Sequence, residues 1–175
     1  MARVKIIYLC ITYFFRYSKT TLKNDIALVK LSRSVIFRQG ILPACLPDKY
    51  RGFPLESLNS EPTIIGWGST GTGLSTVARL RQTTVPIEVV STCAEKYTAV
   101  KNVNIGNTQI CAGTGVKDTC SGDSGGPMLS AELDGFSKWS VIGITSFGVE
   151  CADDRFSGVH TRVDQYLDWI QSNAT

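Results

Sequence analysis

Residues 118–127 read Asp-Thr-Cys-Ser-Gly-Asp-Ser-Gly-Gly-Pro. This run has what a nucleophilic serine requires. Gly122, Gly125 and Gly126 let the backbone turn sharply around Ser124 and leave N–H groups free to converge. A carbonyl oxygen attacked by Ser124 would turn negative where those donors point, and Gly122 and Ser124 would supply the two N–H groups of such an oxyanion hole. A serine of this kind needs a general base. The chain has one histidine, His160, downstream of the serine.

The elements that must position this run read as short strands between Gly, Pro and Asn turns. The pattern predicts strands over Ile26–Leu31, Thr63–Trp67, Val85–Val90, Thr108–Ala112 and Lys138–Phe147. Pro86 and Pro127 suggest edges or strand starts. Thr92 and Glu95 have the spacing of a capping box, which predicts a helix start near Thr92. A second helix is expected over about 164–172. There Tyr166, Leu167 and Ile170 share one face, and Gln165, Asp168 and Gln171 face water. The expectation is an all-β domain with a terminal helix, and the pattern alone leaves barrel and sandwich both open.

The 175 residues suffice for one domain with a core, and 43% apolar with 19% charged content is ordinary for a globular chain. Net charge is +3 without a Lys/Arg cluster, so nothing points to nucleic acid. The six cysteines, Cys10, Cys45, Cys93, Cys111, Cys120 and Cys151, form no C-x-x-C pair, and no metal site or cofactor is implied. Their even count and wide spacing favour disulfides and an extracellular, oxidising compartment. Residues 1–15 stand apart. Arg3 and Lys5 precede an apolar run from Ile6 to Phe15, too short to span a bilayer. It reads as a signal-like segment lacking a small-x-small cleavage site, as a strand, or as a piece foreign to the domain. Gly66-Trp67-Gly68-Ser69-Thr70-Gly71 mimics a dinucleotide fingerprint. Strands and helices do not alternate around it, so a glycine-rich surface loop is expected.

With its neighbours, the Ser124 run resembles the trypsin/chymotrypsin family of serine endopeptidases. Asn24-Asp25-Ile26-Ala27-Leu28, Gly66-Trp67-Gly68, Ser146-Phe147-Gly148 and Gly158-Val159-His160-Thr161-Arg162-Val163 all match family segments, from about Thr21 to Ile170. The resemblance implies a double β-barrel with the second barrel complete, the first partial, and a C-terminal helix. Residues 16–175 would be a partial protease domain. It implies Ser124 as nucleophile and Asp25 as the carboxylate that orients a histidine. Asp118 would floor a pocket for Arg or Lys side chains. Gly148 and Gly158 would form its walls, and Ser146–Gly148 the strand that pairs with substrate, Phe147 replacing the usual tryptophan. Substrates would be peptides or proteins cut after Arg or Lys. Disulfides Cys93–Cys111 and Cys120–Cys151 are implied. Cys45, in Pro43-Ala44-Cys45-Leu46-Pro47, matches a cysteine that members tether to a propeptide or light chain, leaving it free or joined to Cys10.

The resemblance also marks departures. The triad histidine of such enzymes lies about 45 residues before the aspartate, and only 24 residues precede Asp25. His160 is expected to be structural. Lys5-Ile6-Ile7 starts like an activation site, but Tyr8-Leu9 follows instead of glycines. Asp123 would then lack the amino-terminal ion pair and rest in a zymogen-like position, with the oxyanion donors unformed. Trypsin-like cleavage is therefore the family expectation and inactivity the expectation for these residues. The rival is a non-catalytic homologue that binds proteins. Ile26, Leu28, Val29 and Leu31 are expected to lose cover and leave an apolar patch with open strand edges.

Overall fold

Strand β4, Arg81–Thr84, and strand β5, Ile87–Glu88, are separated only by Val85 and Pro86, yet they pair with different neighbours. The computed structural model describes residues 8–13, 16–47, 55, 61–133 and 137–174. Within them β3 is Thr63–Gly66, β6 Gln109–Ala112, β7 Pro127–Leu133, β8 Ser137–Phe147 and β9 Gly158–Arg162. Their antiparallel sheet runs β4-β3-β7-β8-β9-β6-β5. Because β4 and β5 are one stretch of chain, the sheet curls until its two ends meet. Pro86 suits the crossing point. It has no N–H to offer a ladder, and its carbonyl accepts the Gly113 N–H at 3.1 Å.

Closure buries the inward faces. Ile64, Val85, Ile110, Ala112, Met128 and Ile142 form the barrel core with Leu55. A second cluster, Cys93, Tyr97, Ile105, Cys111 and Val159, seats helix α1, Val90–Tyr97, against the barrel. The capping box does not form. The N-cap is Val89 with no side-chain bond, and Thr92 lies inside the helix. The anchors that set this start are Cys93, disulfide-bonded to Cys111, and Tyr97, whose hydroxyl donates to the Ser157 carbonyl at 2.8 Å. The expected strand over Val85–Val90 is thus shortened to Ile87–Glu88. At the far end a 3-10 turn, Val163–Tyr166, leads into α2, Leu167–Asn173. Its buried and exposed faces are as the sequence predicts: Tyr166, Leu167 and Ile170 inside, Gln165, Asp168 and Gln171 outside.

The second sheet has two strands. β1, Tyr8–Tyr13, pairs antiparallel with β2, Ala27–Leu31. The apolar amino-terminal run, left with three readings by its sequence, thus contributes a strand. Ile26 is not stripped of cover as expected. It is 7% exposed, packed with Val163, Tyr166 and Ile170. Val29 is exposed, and past β2 so are Val35, Ile36, Phe37, Leu42 and Leu46. The apolar patch therefore lies mainly over residues 35–46, beyond the strand where it was expected.

Candidate active site

Ser124 sits on an exposed turn fastened to β8. The Gly125 N–H donates to the Thr145 carbonyl and the Thr145 N–H to the Gly126 carbonyl, both at 2.9 Å. Gly122, at φ +98°, takes a left-handed conformation open to glycine at little cost. Among the described residues, neither the Gly122 nor the Ser124 N–H donates to a backbone carbonyl.

Beside Ser124 opens a cavity of about 220 Å³, lined among others by Asp118, Ser146, Phe147, Gly148 and Gly158. Asp118 Oδ1 accepts the Thr119 N–H at 2.7 Å, and Oδ2 accepts the Ala152 N–H at 3.1 Å. Ala152 adopts φ 55°, uncommon for a residue with a side chain, to present that N–H. Burial pushes the Asp118 carboxyl up to about 6, against the lowering pull of those N–H groups. Gly158 is there for space: a Cβ on it would lie 2.5 Å from Asp118 Oδ1. The Cys120–Cys151 disulfide forms part of the wall, and Cys93–Cys111 is also bonded. Cys45 is free and exposed.

Asp25 does not line this cavity; it reaches it through Ser146. The register of β8 against β9 slips between Thr145 and Phe147, and such a slip re-aims side chains. The Ser146 hydroxyl there donates to Asp25 Oδ2 at 2.7 Å. The Thr161 hydroxyl donates to the Asp25 carbonyl at 2.7 Å, and the Tyr166 hydroxyl to Asn24 Oδ1 at 2.9 Å. Asn24 holds φ 60°, a conformation asparagine tolerates better than most residues. Asp25, just ahead of β2, is therefore held by β8 and β9, and its neighbour Asn24 by the 3-10 turn before α2. Sequence reading named neither Thr161, Tyr166 nor Ala152 as site residues; Thr161 lay inside a quoted matching segment, and the Ala152 backbone donor carries no sequence signal.

Asp123 faces away from the cavity of Ser124. Its Oδ1 accepts the Gly68 N–H at 2.7 Å and its Oδ2 the Cys120 N–H at 3.0 Å. A Cβ on Gly68 would come 2.4 Å from that carboxylate, which accounts for glycine in the Gly-Trp-Gly turn. The same turn joins antiparallel strands β3 and β4, so the dinucleotide arrangement is not built. A further cavity of about 370 Å³ lies on this side, lined by Asp118 and Asp123 together with Arg81 and Lys117. His160 is 1% exposed inside the barrel and does not join Ser124. Its Nδ1 has no hydrogen-bond partner, and burial lowers its pKa to about 4.

The closed antiparallel barrel with its terminal helix is a chymotrypsin-like fold, and comparison with known proteins narrows this to a family. The family model described as Trypsin matches residues 4–170, a span that takes in β1. The chain is 42% identical over 153 residues to a proclotting enzyme of Tachypleus tridentatus, covering 86% of this chain and 39% of that protein. It is 40% identical over 158 residues to a trypsin of Phaedon cochleariae, covering 89% and 56%. A phenoloxidase-activating factor 1 of Holotrichia diomphalia is 36% identical over 153 residues, covering 86% and 40%. The chain thus spans between 39% and 56% of the length of these relatives. It belongs to the trypsin family of serine proteases.

Proposed function

We propose that these residues carry the nucleophile, the triad carboxylate and the substrate pocket of an extracellular serine endopeptidase that cuts after Arg or Lys. The observation that carries this reading is Asp118, half-buried in the same cavity that Ser124 borders. A carboxylate there is matched by a guanidinium or ammonium on a long side chain. Ser124 is the nucleophile, Gly122 and Ser124 the oxyanion donors, and Asp25, held by Ser146, the orienting carboxylate. Ser146, Phe147 and Gly148 offer the edge on which substrate backbone lies, and Gly158 keeps the slot open. Cys45, exposed in a disulfide-bonded chain, is the tether for a propeptide or light chain.

The same 175 residues do not catalyse by themselves. Their single histidine is sealed in the barrel, so no imidazole takes the Ser124 proton. Loss of one essential triad member costs about a million-fold in turnover, or roughly 8 kcal/mol of barrier. A second reading, a non-catalytic homologue that binds proteins, is favoured by the exposed Ile36, Phe37 and Leu42. The test is binding of a benzamidine-type cation to the purified chain alongside hydrolysis of an Arg-amide peptide. The expected result is saturable binding lost in Asp118→Asn, with no turnover. Turnover that Ser124→Ala abolishes would defeat inactivity, and binding indifferent to Asp118→Asn would defeat the pocket.

A further inference from the structure

Thr72 also lines the Ser124 cavity, although it comes from the turn between β3 and β4. Residues 66–77 form a small hairpin. The Val77 N–H donates to the Trp67 carbonyl at 3.1 Å, Ser69 bridges Thr76, and the tip turns where the Leu74 N–H meets the Gly71 carbonyl. Its two ends are held differently. At the base Gly68 and Ser69 are buried. There the Gly68 N–H binds Asp123, the Ser69 N–H binds the Ser121 carbonyl at 2.9 Å, and the Ser69 hydroxyl donates to Cys120 Sγ at 2.9 Å. The tip, 72–75, is exposed. Among the described residues, what ties it to the opposite wall is one long hydrogen bond, from the Cys151 N–H to Thr72 Oγ1 at 3.3 Å. The returning strand leans on the oxyanion turn: a Cβ on Gly122 would lie 2.9 Å from Thr76 Cγ2.

We propose that this hairpin is a strap across the specificity cavity and that Thr72 is its latch, setting how fast a cationic side chain enters. The proposal rests on the cation-pocket reading and adds a control on it. A firmly rooted base with a singly tethered tip is a hinge by construction. Opening at Thr72 moves one wall of the cavity without disturbing Asp118, whose carboxylate is held by Thr119 and Ala152. A bond of this kind contributes about 1 kcal/mol net, which is roughly a five-fold change in an opening equilibrium.

Thr72→Val keeps the shape and removes the acceptor; Thr72→Ser keeps the acceptor. In stopped-flow binding of p-aminobenzamidine, Thr72→Val should associate about five-fold faster than the unsubstituted chain, and Thr72→Ser within about two-fold of it. Amide exchange at Cys151 should accelerate by the same factor in Thr72→Val, with the Gly68 and Ser69 amides unchanged. Unchanged exchange in Thr72→Val overturns the latch. Faster exchange with unchanged association overturns the gate. Failure of the unsubstituted chain to bind the probe would sink the cation pocket instead, and exchange at Cys151 would still decide the latch.

Discussion

The barrel and the β1–β2 hairpin with the stretch after it contain similar apolar residues and treat them in opposite ways. Val85, Ile110, Met128 and Ile142 are at most 2% exposed, whereas Val29 is 43%, Phe37 60% and Ile36 82% exposed. Residue type does not separate the two sets. Closure does: the barrel returns on itself through Val85 and Pro86, so every inward side chain has a wall opposite. In β2 only part of the side chains find a wall: Leu28 packs against the cluster of Ile26, Val163, Tyr166 and Ile170, while Val29 is exposed. Asn24, Asp25 and Ile26, which precede β2, and Leu28 within it are drawn onto the barrel and the turn before the terminal helix. The Asp25 carboxylate therefore depends on docking to the barrel more than on the strand that follows it.

The comparison can be broken from the barrel side first. Opening Cys120–Cys151, which closes a separation of 31 residues, with Cys120→Ser and Cys151→Ser should cost about 3 to 4 kcal/mol in urea unfolding. Proteolysis within 32–47 should be unchanged. If that stretch becomes more sensitive, the two regions share one cooperative unit. Ile26→Ala should cost about 3 kcal/mol and speed amide exchange in β2 while β6 and β8 stay protected. Equal loss of protection in both would erase the distinction.

Acid sharpens the contrast because the barrel hides a histidine. The native His160 pKa is about 4 against an ordinary 6.5, so the unfolded chain binds more protons between those values. Stability is full above about pH 6.5 and falls as pH drops towards 4, by about 3 kcal/mol from this group alone. Asp118 acts with the opposite sign: its native pKa of about 6 lies above the usual 3.8, so the native state takes up protons in that window and offsets part of the loss. Urea midpoints at pH 7.5 and 4.5 should differ more in Asp118→Asn than in the unsubstituted chain; a smaller difference would refute this sign. Cation binding should also weaken about ten-fold between pH 7 and pH 5 as Asp118 protonates. The smallest effect belongs to the open region. Ile36→Ser with Phe37→Ser should shift stability by less than about 0.5 kcal/mol yet lower light scattering on concentration, since an exposed apolar patch drives association.

Much of this was legible in the sequence for physical reasons that differ by element. Strands β2, β3, β6 and β8 carry apolar runs bounded by turn residues, and the structure places each within a residue or two of its expected bounds; β9, Gly-Val-His-Thr-Arg, has no such run and lay in a segment matched by resemblance. β4 reads Arg-Gln-Thr-Thr and offers no apolar alternation, because its side chains are mostly exposed; its place comes from pairing with β3. β7 opens on Pro127, one of the two prolines read as edges or strand starts, but the residues after it were given no strand bounds. The disulfides Cys93–Cys111 and Cys120–Cys151 followed from resemblance, since spacing alone leaves fifteen pairings of six cysteines. The link from Ser146 to Asp25 spans 121 residues of sequence, and only a folded chain makes it visible. Thr72 had no signal at all, for a threonine in a glycine-rich turn is ordinary turn chemistry.

The meeting of β3 and β7 has a kinetic consequence. Only Thr63 and Ile64 pair there, with Leu129 and Met128, whereas β7 and β8 are hairpin neighbours zipped along their length. Bringing such distant stretches together requires closing a long loop before many contacts reward it. This seam should form late in refolding, after the β7–β8 hairpin, and pulse-labelled amides at Ile64 and Met128 should gain protection more slowly than those of β8.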